Sequence, residues 1–156
     1  MAVNPIPEGY HSVIPYLLVD DAAAAIDFYA QAFGGEEVMR MPMDGRIGHA
    51  EIRIGDSHIM LADEVPDRGY RGPKAVGGTP VSIMLYVPDV DQVFARAAEA
   101  GATTERAVED QFYGDRSGTL VDPFGHRWHI ATHVEDVSPE EMQRRMQAGH
   151  AQAAEA

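Results

Sequence analysis

The sequence contains no cysteine, which removes disulfide frameworks, thiolate metal sites and cysteine nucleophiles and fits a reducing compartment. Positive charge is scarce too: 12 Lys and Arg stand against 25 Asp and Glu, a formal net charge of −13. A phosphate backbone is a poor electrostatic partner for such a chain, so nucleic-acid binding is not expected. No apolar run approaches the roughly 20 residues that a membrane helix needs, and the start Met1-Ala2-Val3-Asn4-Pro5 lacks the basic-then-apolar pattern of a signal peptide. A soluble, cytoplasmic protein with no membrane partner is the expectation. Dinucleotide fingerprints and Ser-His-Asp spacings are also missing, and Gly114-Asp115-Arg116-Ser117-Gly118 lacks the lysine and following helix of a phosphate loop.

What the chain does have is an internal duplication. Val13 to Asp21 and the helical pattern from Ala22 to Gly34 are answered by Val81 to Asp89 and the pattern from Val90 to Gly101. Ile14 then maps to Ser82 (82 − 14 = 68), and farther on Met60 maps to His129 (129 − 60 = 69). A duplicated unit of this length implies two modules that must pair to bury their apolar faces, with a pocket between them.

Each repeat reads as βαβββ. In the first, strand 13–19 carries Pro15, which argues for a sheet edge. Asp20 or Asp21 caps a helix whose apolar face is Ala22, Ala25, Ile26, Tyr29 and Phe33, and Gly34-Gly35 supplies its exit. Strands are predicted over 36–41, 46–54 and 58–62. The Pro- and Gly-rich stretch 63–79 reads as a linker. The second repeat has a strand over 81–87, a helix capped by Asp89, and strands near 104–109, 117–121 and 127–132, with Asp122-Pro123-Phe124-Gly125 as a turn. Ser138-Pro139-Glu140-Glu141 starts a C-terminal helix over about 139–148. The expectation is an α+β fold: one domain over 10–135, made of module one (10–63), a linker (64–79) and module two (80–135), followed by a helix and tail over 136–156.

The paired modules, the helix pattern Ile26-Asp27-Phe28-Tyr29 and the Asp122-Pro123-Phe124-Gly125 turn together resemble the vicinal oxygen chelate superfamily, which includes glyoxalase I, extradiol dioxygenases, fosfomycin-resistance proteins and bleomycin-binding proteins. The runs Gly48 to Gly55, Asp110 to Gly118 and Gly125 to His133 resemble its PhnB-like branch. The resemblance implies a glyoxalase/bleomycin-resistance-type fold and, in metal-dependent members, a divalent ion held by first and last strands of the modules. Those positions here are Ile14, Met60, Ser82 and His129. Only His129 is a suitable ligand for such an ion, since isoleucine cannot coordinate and a thioether suits softer metals. The usual metal site is therefore expected to be dismantled, and no cofactor is expected. A relocated set is conceivable from His49 and Glu51, two apart on one strand, together with His129.

Alternation places Arg127 and His129 on one face of the last strand and Trp128 on the other. Tyr16, Met84 and Tyr86 share the inward faces of the first strands with Ile14 and Ser82, and Tyr113 sits on an aromatic loop suited to lining a pocket. His126 and His133 flank the last strand and read as solvent-exposed. Two functions follow. One is a small-molecule-binding protein holding an organic ligand in a cup between the modules, contacted by Ile14, Tyr16, Met60, Ser82, Met84, Tyr86, Tyr113, Arg127 and His129, without a catalytic metal. The other is a glyoxalase-type lyase, isomerase or dioxygenase using a metal at His49, Glu51 and His129, or His129 as a metal-free base with Glu51 orienting it. Since the superfamily pairs modules across chains, a homodimer is expected, joined at the edges that carry Pro15 and Ser82.

Overall fold

The computed structural model describes residues 3–154. Module one comprises β1 (Tyr16–Val19), α1 (Ala22–Phe33), β2 (Glu36–Met43), β3 (Arg46–Ile54) and β4 (Ser57–Asp63). A 3₁₀ turn (Pro66–Arg68) and a short helix α2 (Pro73–Val76) follow. Module two is β5 (Ser82–Tyr86), α3 (Val90–Glu99), β6 (Thr103–Asp110), β7 (Asp115–Val121) and β8 (Arg127–His133), and α4 (Pro139–Ala154) closes the chain. Among the described residues no helix is long and apolar enough to cross a membrane.

The strands form two four-stranded sheets, ordered β1-β4-β3-β2 and β5-β8-β7-β6. In each, the first and last strands of the module pair in parallel. The repeat is visible in the register: Tyr16 lies opposite Met60, and at the equivalent offsets Met84 lies opposite His129. Both β1 and β5 are sheet edges, as Pro15 suggests. β1 starts three residues later than expected because Pro15 has no N–H for the ladder, although its carbonyl still accepts from Met60 at 2.9 Å. At the other edge, β2 runs through Pro42 to Met43, past the expected end, with register shifts that an edge strand tolerates.

Local signals set the helix ends. Asp21 accepts from the Ala24 N–H at 2.9 Å and Asp89 from the Gln92 N–H at 3.0 Å, while Asp20 binds Lys74 instead. The segment expected as a plain linker is structured, since Pro66 and Pro73 start its two short turns and Gly69 and Gly77 end them with positive φ. Ser138 caps α4 as expected, and the helix continues to Ala154.

The two modules pack through their helical sides. Helices α1 and α3 touch each other, and the inner faces of both sheets close over them in one apolar cluster. Trp128 is fully buried and meets Phe33 and Tyr29 of the other module at centroid distances of 4.6 and 5.4 Å. Asp122 ties this core together. One of its oxygens accepts the Tyr29 hydroxyl at 2.7 Å and the Trp128 indole N–H at 2.9 Å, while the other accepts the amides of Phe124 and His126 at 2.9 Å. Burial, reinforced by Asp122, pushes the Tyr29 phenol well above its ordinary pKa, so it remains a donor.

Removing the Asp122 carboxylate would leave four buried donors without an acceptor. Asp122→Ala is expected to lose about 3–5 kcal/mol, and Tyr29→Phe about 1–3 kcal/mol. Urea unfolding measures both, and an Asp122→Ala variant within about 0.5 kcal/mol of the parent, the usual range for a surface change, would refute this account.

Candidate functional site

With the helical faces buried, the opposite faces of both sheets point outward. On sheet one, register places Met39, Glu51, Met60 and Tyr16 in one row across β2, β3, β4 and β1. On sheet two the matching row is Met84, His129, Thr119 and Arg106 across β5, β8, β7 and β6. Large apolar side chains stand open on both: Tyr16 is 50% exposed, Met41 54%, Met84 45% and Tyr86 58%. The cup expected between the modules is therefore not closed within one chain. The walls are present, but the packing of α1 on α3 puts them on separate surfaces.

Tyr16 and Met60 belong to the module-one wall; Ser82, Met84, Tyr86, Arg127 and His129 to the module-two wall. Ile14 precedes β1 and is half-buried. His49 and Glu51 share the outward face of β3, with His49 Nε2 3.1 Å from Glu51 Oε1, but His129 lies on the other sheet. Among the described residues no three His, Asp or Glu side chains converge on a point where a metal ion could sit, so one chain does not assemble the relocated set His49, Glu51 and His129. The four family positions do not fit a divalent ion either: one imidazole, one hydroxyl, one thioether and one hydrocarbon are split between two sheets.

The module-two wall is built around His129. Its Nδ1 lies 2.8 Å from the Thr119 hydroxyl and its Nε2 3.1 Å from the Ser82 hydroxyl. Two neutral hydroxyls, not Glu51, thus orient the ring within a chain, and β7 contributes Thr119, which the sequence reading missed. A cavity of about 270 Å³ opens there, lined by Met84, Gln111, Tyr113, Ser117, Thr119 and His129 among others. Tyr113 from the aromatic loop stands in this lining with Met84 and His129. Arg127 is otherwise engaged: its guanidinium makes a bidentate pair with Glu105 at 2.7 and 2.9 Å.

A second polar group on this wall was not legible in the sequence. Asp115, only 4% exposed, accepts the Tyr86 hydroxyl at 2.7 Å and binds His133 Nδ1 at 2.8 Å, while His133 Nε2 meets Asp136 at 2.9 Å. His133 is therefore held between two carboxylates. His126 is likewise not free, since its ring reaches the Leu18 carbonyl at 2.9 Å across the module boundary. Beside Asp115, Gly114 has φ +99°, and a Cβ there would collide with the Glu135 carbonyl, so only glycine lets the loop and the C-terminal segment meet.

On the module-one wall a hydrogen-bonded chain runs from the Tyr16 hydroxyl to His49 Nδ1 at 2.8 Å, then to Glu51, which also accepts from Tyr10. Tyr10 stacks on His58 at 4.1 Å. Glu51 is 7% exposed. Its carboxyl is held below the usual range, first by the Tyr10 hydroxyl and then by His49, against the upward push of burial. Beside Tyr16 a larger cavity of about 820 Å³ opens under the 65–70 loop.

Residues 10–130 match the model of the Glyoxalase/Bleomycin resistance protein/Dioxygenase superfamily. An uncharacterized protein of Mycobacterium bovis is 47% identical over 150 residues, 94% of this chain and 96% of that one. The crystal structure of TioX from Micromonospora sp. ML1 superimposes with a TM-score of 0.64 at 28% identity, covering 80% of this chain and 99% of TioX. A PhnB protein from Bacillus cereus shares the fold, with a TM-score of 0.63 at 19% identity over 78% of this chain and 99% of that one.

The paired carboxylates give His133 a pH signature. Hydrogen bonds to Asp136 and then Asp115 raise its pKa above the ordinary 6.5. Because the folded value is the higher one, its stabilisation is complete below about pH 6.5 and fades as pH rises through the folded value. Proton NMR should show the His133 ring titrating above 6.5, and His133→Gln should flatten the fall in unfolding midpoint on the alkaline side. A ring that titrates at or below 6.5 would sink the assignment.

Proposed function

The chain belongs to the glyoxalase/bleomycin resistance protein/dioxygenase superfamily, and from that premise we propose that it is a small-molecule-binding protein that holds its ligand against the His129 wall without the superfamily's catalytic metal. The observation that carries this reading is the environment of His129. Both ring nitrogens are taken by the hydroxyls of Thr119 and Ser82, and the positions that would supply further ligands hold Ile14 and Met60. The Thr119 hydroxyl keeps hydrogen-bonding capacity beyond its bond to the ring and, with Met84 and Tyr113, lines a small pocket that suits a polar group on an organic ligand. A sequestering role fits a site whose family positions supply one imidazole, one hydroxyl, one thioether and one hydrocarbon, a set poorly suited to holding a Lewis-acid metal.

The cup of this reading is completed by a second copy of the chain. Each chain offers two unlike walls, and each wall is flanked by an edge formed by its module's first strand, β1 or β5, so an isologous homodimer sets the module-one wall of one copy beside the module-two wall of the other. The exposed Tyr16, Met84 and Tyr86 then face a shared cup instead of solvent. A second reading, a glyoxalase-type lyase, isomerase or dioxygenase, draws on the 3.1 Å contact of His49 with Glu51, which in such a dimer would stand across from the partner copy.

Light scattering is expected to give a dimer, and a 17.0 kDa species at micromolar concentration would count against the shared cup. Zinc, nickel, manganese and iron at equimolar ratio are expected to leave the Tm of an EDTA-treated sample unchanged. A rise of several degrees with any of them, abolished in Glu51→Gln, would replace the metal-free reading with the second one.

A further inference from the structure

We propose that the large cavity on module one, which Tyr16 joins to the module-one wall, is a binding site, distinct from the His129 pocket of the same chain, for a small amphipathic acid, an aryl or alkyl chain ending in a carboxylate or sulfonate. The cavity measures about 820 Å³, within the size range of drug-like ligand sites. It lies on the sheet opposite to His129 and shares no lining residue with the smaller pocket.

Its body is apolar. Leu18, Ile47 and Ala62 come from the sheet, and Met43, Val65 and Tyr70 rise around them. The wall over the sheet is preformed, because Val65 and Tyr70 exchange backbone hydrogen bonds of 2.8 and 3.2 Å and the Pro66–Arg68 turn between them ends on Gly69 with φ +83°. A ring or chain entering this space meets aromatic and thioether groups, which suit polarizable apolar surfaces.

Charge selects an acidic end for the ligand. This chain carries twice as many acids as bases, and eight of its 12 cationic side chains are ion-paired among the described residues. Arg46 and Arg68, both lining the cavity, have no carboxylate within ion-pair distance among the described residues. Arg46 gives one N–H to the Glu64 carbonyl at 3.1 Å, which fixes its guanidinium at the rim with donors to spare. Three acids share the lining, and they do not neutralise the arginines. Asp63 spends its two oxygens on the amides of Ala22 and Ile47, at 2.7 Å each. Asp44 and Asp67 sit on the β2–β3 turn and the 3₁₀ turn, and neither is hydrogen-bonded to an arginine among the described residues. Those two carboxylates mean that the cavity does not draw anions from a distance. Recognition is by contact, through guanidinium donors that a carboxylate or sulfonate fits in a bidentate way.

The test uses the full-length protein with an anionic fluorescent probe, 8-anilinonaphthalene-1-sulfonate, and its uncharged counterpart N-phenyl-1-naphthylamine. Saturable binding of the anionic probe at one site per chain is expected, weakened about tenfold in Arg46→Gln and in Arg68→Gln, the loss that one charged hydrogen bond implies. The uncharged probe should bind parent and variants alike, which also reports that the cavity is still folded. His129→Ala, which belongs to the cup reading, should leave the anionic probe's affinity unchanged. Equal affinity of the anionic probe for the parent and both arginine variants overturns the proposal, and so does an equal loss of the uncharged probe. A loss in His129→Ala overturns it by placing the probe in the other pocket, without touching the proposal that His129 binds a ligand.

Discussion

The carboxylate of Asp122 is the point on which both modules converge. It closes its own turn through the amides of Phe124 and His126, holds the indole of Trp128 from the same module, and reaches the Tyr29 hydroxyl of the other. A buried carboxylate is tolerable only when its lone pairs are filled by donors, and here four of them do so. That arrangement fixes α1 against sheet two and so decides which faces of the sheets are inside. Everything that concerns ligands is a consequence, since the faces left over are the two walls. Gly125, in the same turn, would bring a Cβ within 2.8 Å of Pro73, so the segment between the modules is clamped onto the structure that Asp122 organises.

Much of this was legible from residues alone because the chain repeats itself. The matching of Ile14 with Ser82 and of Met60 with His129 gave the right register, and strict alternation sent Trp128 inward and His129 outward. Pro15 marked an edge for a stereochemical reason that does not depend on context. Other features escaped for equally physical reasons. Proline and glycine between 63 and 79 punctuate structure, and the same residues that signal a linker also start and end two short turns. The burial of Asp115 and the capture of His133 depend on β7 lying beside β8, a long-range pairing that no local pattern encodes. Whether the modules meet by their helices or by their open faces is likewise a property of the packed molecule: apolar residues occur on both sides of each sheet, and periodicity cannot rank them.

The two walls are not copies in their chemistry, although they are copies in their geometry. Module two presents hydroxyls and an imidazole around a small pocket; module one presents methionines, a tyrosine-histidine-glutamate chain and a larger cavity with unneutralised arginines. A duplicated fold that diverges in this way retains the scaffold while changing what each half recognises, and the family's name alone does not say what is recognised.

Strand β2 raises a different matter. It is exposed along its whole length, lies at a sheet edge and carries Met39, Met41 and Met43. Such a ribbon would ordinarily invite uncontrolled strand-on-strand stacking between molecules. The same eight residues contain the countermeasures: Glu36, Glu37 and Arg40 place charge along the ribbon, Pro42 deletes a donor, and two register shifts distort its outer margin. Colloidal behaviour is thus written into this strand beside ligand chemistry, and replacing Pro42 to regularise the sheet would trade solubility for order.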